Sequence, residues 1–146
     1  MDITEISSKD TLALRNEILR PGKDVSTCIF DGDDVPSTRH FGAIDESGNI
    51  VGVISVYRKN HTAIKAEDAC QIRAMATGSA CRGKGVGRLL LAAVEEHAKS
   101  KGSSLIWANA RSSAIGFYTK AGYSMASSEF NIDGIGPHYL VVKSLA

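Results

Sequence analysis

Arg82-Gly83-Lys84-Gly85-Val86-Gly87 stands between a strand-like run, residues 69–77, and a strongly periodic stretch, residues 86–101. Three alternate glycines free a row of backbone N–H groups at the mouth of a helix. Arg82 and Lys84 lie among them, with Arg88 just beyond. Bare amides and the positive end of a helix dipole make a site for phosphate. The phosphate-bearing molecules that such a turn can serve belong to different orders of strands and helices, so this turn decides the fold.

Downstream, Val86, Leu89, Leu90, Ala93, Val94 and His97 fall at i, i+3, i+4, i+7, i+8 and i+11, which predicts an amphipathic helix. His97 reads as a packed edge histidine. Glu95 and Lys99 are four apart and suit its solvated face, and Gly102 is placed to close it. Upstream, residues 3–6 predict a first strand. Ser8 or Asp10 can cap a helix with apolar Leu12, Leu14, Ile18 and Leu19, stopped by Pro21-Gly22. Residues 22–38 form a polar loop of unusual length, a frequent mark of function. Residues 39–44 and 50–58 predict a hairpin, and 69–77 a third long strand. Beyond the long helix come a short apolar strand, 105–108, and a helix that Ser112 or Ser113 can cap and Gly122 can close. Residues 123–131 and 139–143 predict two final strands joined through Gly134-Ile135-Gly136-Pro137. This order is α+β with a mixed, mostly antiparallel sheet, whereas a Rossmann chain alternates strand and helix throughout.

The glycine turn admits three readings. Residues 78–84 match G-x-x-x-x-G-K, but a nucleotide loop needs Ser or Thr next to hold magnesium, and Gly85 stands there. A dinucleotide fingerprint fails because the third glycine of G-x-G-x-x-G falls on Arg88 and no strand-ending acid follows about 20 residues on. The third reading is a coenzyme A pyrophosphate site. Arg82-x-x-Gly85-x-Gly87 resembles the R/Q-x-x-G-x-G/A signature of the GCN5-related N-acetyltransferases (GNAT). A second stretch, Asn109 through Ala114 and Phe117-Tyr118-Thr119-Lys120-Ala121-Gly122-Tyr123, resembles the family's N-x-x-A-x-x-F-Y-x-K-x-G-F/Y from Ala114 onward, with Asn109 five residues before that alanine rather than three. The resemblance covers essentially residues 1–146. Arg20-Pro21-Gly22 and residues 129–139 resemble a branch of predicted bacterial acetyltransferases.

The resemblance implies one N-acetyltransferase domain, layered α/β/α, with a sheet of about seven strands and about four helices. It implies acetyl-CoA as the donor and direct attack by an amine in a ternary complex. The pantetheine arm then lies against Met75, Ala76 and Thr77, and the strands beside it splay. The pyrophosphate meets Arg82, Gly83, Lys84, Gly85, Val86, Gly87 and Arg88, with Asn109, Phe117 and Tyr118 also at the cofactor. Tyr118 is the expected general acid for the departing thiolate. Relatives that modify histones carry a glutamate base where Arg73 falls here. Arg73 either faces the cleft, where it suits a carboxylate or phosphate on the acceptor, or pairs with Glu67 or Asp68. Glu129 and His138 are the alternatives for the base and, with Arg73, the candidate acceptor-binding residues. The competing function is a catalytically silent acyl-CoA-binding or sensor module.

Bulk properties fit a globular domain of ordinary size. In 146 residues the net charge is +1, with 43% hydrophobic and 23% charged side chains, so the molecule as a whole is no polyanion binder. The longest apolar run, residues 89–94, is too short to span a bilayer. No basic–aromatic stripe suggests nucleic acid, and neither the four histidines nor the three cysteines have metal-ligand spacing. Three scattered cysteines and the lack of a signal-like N-terminus fit a cytoplasmic protein with reduced thiols. The resemblance leaves the acceptor amine unnamed and the oligomeric state open, a homodimer being usual among relatives.

Overall fold

A computed structural model describes residues 1–81 and 83–145. Eight strands form one sheet: β1 (Asp2–Ile6), β2 (Arg39–Ile44), β3 (Ile50–Arg58), β4 (Cys70–Thr77), β5 (Leu105–Arg111), β6 (Ser124–Met125), β7 (Phe130–Ile132) and β8 (Gly136–Ser144). Their order is β1-β2-β3-β4-β5-β8-β6, with β7 also paired to β8. Among the described residues only β4 and β5 run parallel. Alternation along the strands separates two faces. Ile54, Val56, Ile72, Ile106, Ala108, Ala110 and Val141 pack with Val86, Leu90, Val94 and Tyr118 on one side. Ala69, Trp107 and Leu140 pack with Ile64, Ala66 and Phe130 on the other.

The single strand expected over 123–131 is two short ones, so the sheet has eight strands rather than about seven. The ladder is interrupted after the Ala126 N–H meets Leu140 O at 2.7 Å, where the Ser127 hydroxyl takes the Leu140 N–H at 2.9 Å. A side chain there supplies what a neighbouring backbone carbonyl would otherwise give.

Three α-helices are present among the described residues, α1 (Leu12–Leu14), α2 (Val86–Ser100) and α3 (Ile115–Lys120), where about four were expected. The first is short because residues 9–19 change pitch twice, from a 3-10 turn (Lys9–Thr11) through α1 to a π-helical turn (Arg15–Leu19). Neither proposed cap acts. Ser8 makes no cap bond and its hydroxyl donates to Asp34 at 2.7 Å, while Asp10 accepts from Ser7. Ser112 likewise caps nothing and donates to Glu129 at 2.8 Å.

On α2 the buried stripe is Val86, Leu90, Leu91, Val94 and Ala98. It is rotated from the expected one, and Leu89 stays 46% exposed. Burying each Leu or Val is worth about 1.5–3 kcal/mol. Glu95 does not pair with Lys99 but turns inward, accepting from the Tyr123 hydroxyl at 2.7 Å and from Lys143 at 3.1 Å. His97 is half-buried beside Phe41, at 6.0 Å between ring centroids, and burial pulls its imidazole below the usual value. Gly102 and Gly122 close α2 and α3 in the left-handed region, with φ of 83° and 97°. The Ser103 N–H reaches Ala98 O and the Tyr123 N–H reaches Tyr118 O, each at 3.0 Å. The cysteines Cys28, Cys70 and Cys81 are buried free thiols. No described helix is long and apolar enough to cross a membrane.

The residues of the loop 22–38 do not float. Asp24 caps a 3-10 turn, Val25–Cys28, by accepting the Ser26 N–H at 2.9 Å. Cys28, Asp33 and Thr38 are buried. The anchor is Arg15, fully buried, which donates to Asp33 at 2.7 and 3.1 Å, to Cys28 O at 2.8 Å, and to Ser55 and Tyr57 at 3.0 and 3.2 Å. The first helical segment is thereby tied across β3, on the face opposite α2.

Candidate active site

β4 and β5 hold together at only two rungs, Cys70↔Ile106 and Gln71↔Trp107. Beyond them the strands part, so that the β5-facing edge of β4 from Ile72 onward is unpaired, as the expected splay requires. The cause lies in β4 itself. Val53 pairs with Ala76 and Ser55 with Arg73, so Ile54 faces two residues, Ala74 and Met75. Ala74 has φ of +58°. This is a β-bulge with a non-glycine residue in the left-handed region, a conformation costing about 1–3 kcal/mol. A bulge bends its strand, and here it begins three residues past the last β4–β5 rung.

The glycine turn lies at the same end of β4. Gly83 and Gly85 both have φ of +76°, and a Cβ on either meets nothing within 4 Å. Their glycine identity therefore serves conformation and leaves the turn uncovered. Gly85 is the N-cap of α2, where no side chain caps the helix and no acid lies in the first turn. The first N–H groups of α2 lack intrahelical partners by geometry, and the helix's first turn carries no acid to meet them. Gly87 has a different reason. A Cβ there sits 3.3 Å from Phe117 and 3.8 Å from the Met75 sulfur, so it lets α2, α3 and β4 close up. Lys84 and Arg88 are exposed, and Met75 and Thr77 are half-buried. Ala76 is buried. Arg82, expected at this turn, lies outside the described residues.

Tyr118 is 6% exposed, edge-on to Phe117 at 5.2 Å and to Tyr123 at 5.3 Å between centroids. Burial pushes its phenol up to about 12. Its hydroxyl has no hydrogen-bond partner among the described residues, yet it is not sealed in. The one buried, unpartnered side-chain N or O atom there is Arg15 Nε. Asn109 is exposed on β5, two residues past the last β4–β5 rung, and the half-exposed Arg73 stands at the same step on β4.

Arg73 makes no ion pair with Glu67 or Asp68. Its guanidinium lies 4.7 Å from the Phe30 ring centroid and 5.7 Å from that of Tyr57. His138 is buried on β8 opposite Arg111, and its Nδ1 donates to Gly136 O at 2.8 Å. In the neutral ring that bond leaves Nε2 as the bare acceptor. Glu129 is exposed and accepts from Ser112. The two candidate bases thus share one end of β5, β7 and β8, while Arg73 stands across the gap on β4.

Sequence reasoning missed Arg15, Arg20, Phe30, Asp33 and Tyr57. Arg15 reaches Asp33 and Tyr57 across 18 and 42 residues, Arg20 meets Phe30, and the Phe30 N–H donates to Asp33 three residues on; the signals in sequence were the length of the 22–38 loop and the resemblance at Arg20-Pro21-Gly22. Asp33 shows how tightly they are bound. Burial alone raises its carboxyl, but hydrogen bonds from Arg15 and Tyr57 outweigh it and hold the group below the usual carboxylate range. Burial, then the bond to Asp33, pushes Tyr57 up to about 12.

Comparison with known proteins bears on the family and the fold. The chain is 28% identical over 145 residues to the "Uncharacterized N-acetyltransferase YitI" of Bacillus subtilis (strain 168), covering 99% of this chain and 97% of that protein. Among solved structures it shares its fold with an aminoglycoside 6′-N-acetyltransferase complexed with coenzyme A, at a TM-score of 0.76 and 14% identity, covering 100% of this chain and 98% of the other. It likewise shares it with Escherichia coli ElaA, at a TM-score of 0.78 and 16% identity, covering 97% and 98%. The family model described as "Acetyltransferase (GNAT) family" matches residues 7–123, spanning both the glycine turn and Tyr118. The chain belongs to the GNAT acetyltransferase family.

Proposed function

We propose that this protein transfers the acetyl group of acetyl-CoA to a primary amine of a small acceptor by direct attack in a ternary complex. The observation that carries the reading is the open seam between β4 and β5, with the uncapped amino end of α2 at its mouth. An extended pantetheine arm needs an unpaired strand edge, and a pyrophosphate needs bare amides and no nearby acid. Both are present. Met75, Ala76 and Thr77 would hold the arm, with Gly83, Lys84, Gly85, Val86, Gly87 and Arg88 at the pyrophosphate and Asn109 and Phe117 alongside. The coenzyme supplies a thioester whose carbonyl carbon an amine can attack.

The chain's own groups then position and move protons. As the C–N bond forms and the C–S bond breaks, Tyr118 hydrogen-bonds the departing sulfur and passes it a proton. A phenol held at about 12 is a weaker acid than a free thiol at about 8.5, which at first counts against donation. The desolvation that raises Tyr118 also raises a thiol beside it, which narrows the gap toward that between the free groups, about 10 against about 8.5. His138 takes the amine proton at Nε2, the nitrogen that its Nδ1–Gly136 bond leaves free, and Glu129 is the alternative. The experiment is thiol release from acetyl-CoA across a panel of primary amines, with the acetylated product identified by mass. Turnover with at least one amine is expected. Tight coenzyme binding with no turnover on any amine points instead to a silent sensor module.

A further inference from the structure

Three guanidinium groups converge on one aromatic ring. The carbon centres of Arg15, Arg73 and Arg20 lie 4.4, 4.7 and 5.3 Å from the centroid of Phe30. Their charges are not equally accounted for. Arg15 is fully buried and neutralised by Asp33. Arg20 and Arg73 are half-exposed, and neither has a carboxylate within ion-pair distance among the described residues. The ion pairs there are Arg15–Asp33, Arg39–Glu5 and Lys143–Glu95. Two unneutralised cations are therefore held at the same ring, against their mutual repulsion.

The backbone is shaped to bring them there. An α-helix repeats every ~3.6 residues, which would turn residue 20 well away from residue 15. The π-helical turn closes instead with the Arg20 N–H on Arg15 O at 3.0 Å, so the fifth residue on returns above the first. Asn16 fixes the end by donating to Arg20 O at 3.1 Å and Lys23 O at 2.9 Å. Arg73 arrives from the sheet. It sits beside the bulge residue Ala74, two residues past the last β4–β5 rung, on the rim of the seam where the acetyl group is handed over. Asn109 stands at the same step on the other rim.

We propose that Arg20 and Arg73, steadied by Phe30, form an oxyanion clamp that selects acceptors carrying a carboxylate or phosphate close to the attacking amine. This rests on the acetyl-transfer reading above. A guanidinium presents a planar fork of donors matched to either oxyanion. An acceptor anchored by its anion is oriented before it reacts, which concentrates the amine at the thioester. The aromatic face holds the two cations in place while leaving their N–H edges free, which an acidic partner from the chain would not do.

The test uses the full chain, acetyl-CoA and matched amine pairs, β-alanine against propylamine and phosphoethanolamine against ethanolamine. The anionic member of at least one pair is expected to exceed its neutral partner by about tenfold or more in kcat/KM, and the pair that shows it tells carboxylate from phosphate. Arg20→Gln and Arg73→Gln should each shrink that ratio toward one, chiefly through KM, with Arg73→Lys recovering part of it. The Kd for coenzyme A, measured on the same samples, reports that the fold and glycine turn persist. Equal turnover of both members of each pair, or variants that impair neutral and anionic amines alike, overturns the clamp. Failure of every amine to be acetylated overturns the transfer reading instead. The clamp is then judged by calorimetric binding of β-alanine and phosphoethanolamine to the wild-type chain and the double variant; unchanged or absent binding refutes it.

Discussion

On the proposed function, Tyr118 both packs and reacts. Its ring fills the space between Phe117 and Tyr123, so removing only the hydroxyl separates the two tasks. Tyr118→Phe keeps the packing and should lower kcat by roughly 10²–10⁴, while coenzyme affinity and melting temperature stay near wild type. Steady-state rates with calorimetry check it. Because burial keeps the phenol protonated to about 12, no alkaline loss of rate below that pH should trace to Tyr118. Gly85 tests the turn. Its φ of +76° is strained for any side chain although the space is open, so Gly85→Ala should cost about 1–2 kcal/mol. It should also weaken coenzyme binding in a titration more than it weakens folding. Both residues were legible in sequence because their signals are local: a glycine where a helix must start bare, and an aromatic pair one turn into the next helix. Arg20 and Phe30 were not, since nothing within ten residues of either announces that they meet Arg73.

Elements fix how those residues are aimed. α2 lies so close to β3 that a Cβ on Gly52 would sit 3.0 Å from both Leu90 and Val86. Gly52→Ala should lift the start of α2, cost about 1–3 kcal/mol and, unlike Gly85→Ala, show its loss first in denaturant unfolding. The first helical segment depends on Arg15 and Asp33 instead. Asp33→Asn leaves a buried guanidinium without its charge partner and should cost about 3–5 kcal/mol. Its pH signature follows from the lowered Asp33 carboxyl. Ionised Asp33 favours the fold above the ordinary carboxylate value near 3.9, and that contribution fades as pH falls through the lower folded value. The acid limb of the wild-type stability curve should therefore flatten in Asp33→Asn. Periodicity gave the existence of α2 and of the long strands, but it rotated the α2 stripe toward Leu89. A count of apolar spacings does not know that Gly52 opens room for Leu90. The π-helical turn has no periodic signature at all, because one extra residue in one turn is set by Asn16 and Arg15 reaching partners elsewhere.

For the whole molecule, three of the four tyrosines are held above the ordinary phenol value. Tyr57 and Tyr118 are pushed to about 12, and Tyr123 is raised by burial and by the neighbouring Glu95. The neutral phenols contribute stability in full below about 10, the value in an unfolded chain, and lose it as pH climbs toward the folded values. Phenolate absorbance should thus rise together with loss of secondary structure in one alkaline transition, with no separate earlier step from these three. The mixed, mostly antiparallel α+β class was readable from the succession of strands and helices, and the layering from the family resemblance, whereas the break between β6 and β7 depends on a single serine hydroxyl. The two-rung seam carries a further consequence. The sheet is two leaves, and a ligand lying between them behaves toward the fold as a strand that arrives after synthesis. Coenzyme at about a hundred times its Kd would add about 2.7 kcal/mol, which should appear as slowed amide exchange along residues 72–77 and 108–111. On the proposed function, supply of acetyl donor would then govern lifetime as well as rate, and limited proteolysis should cut the protein fastest when the donor is scarce.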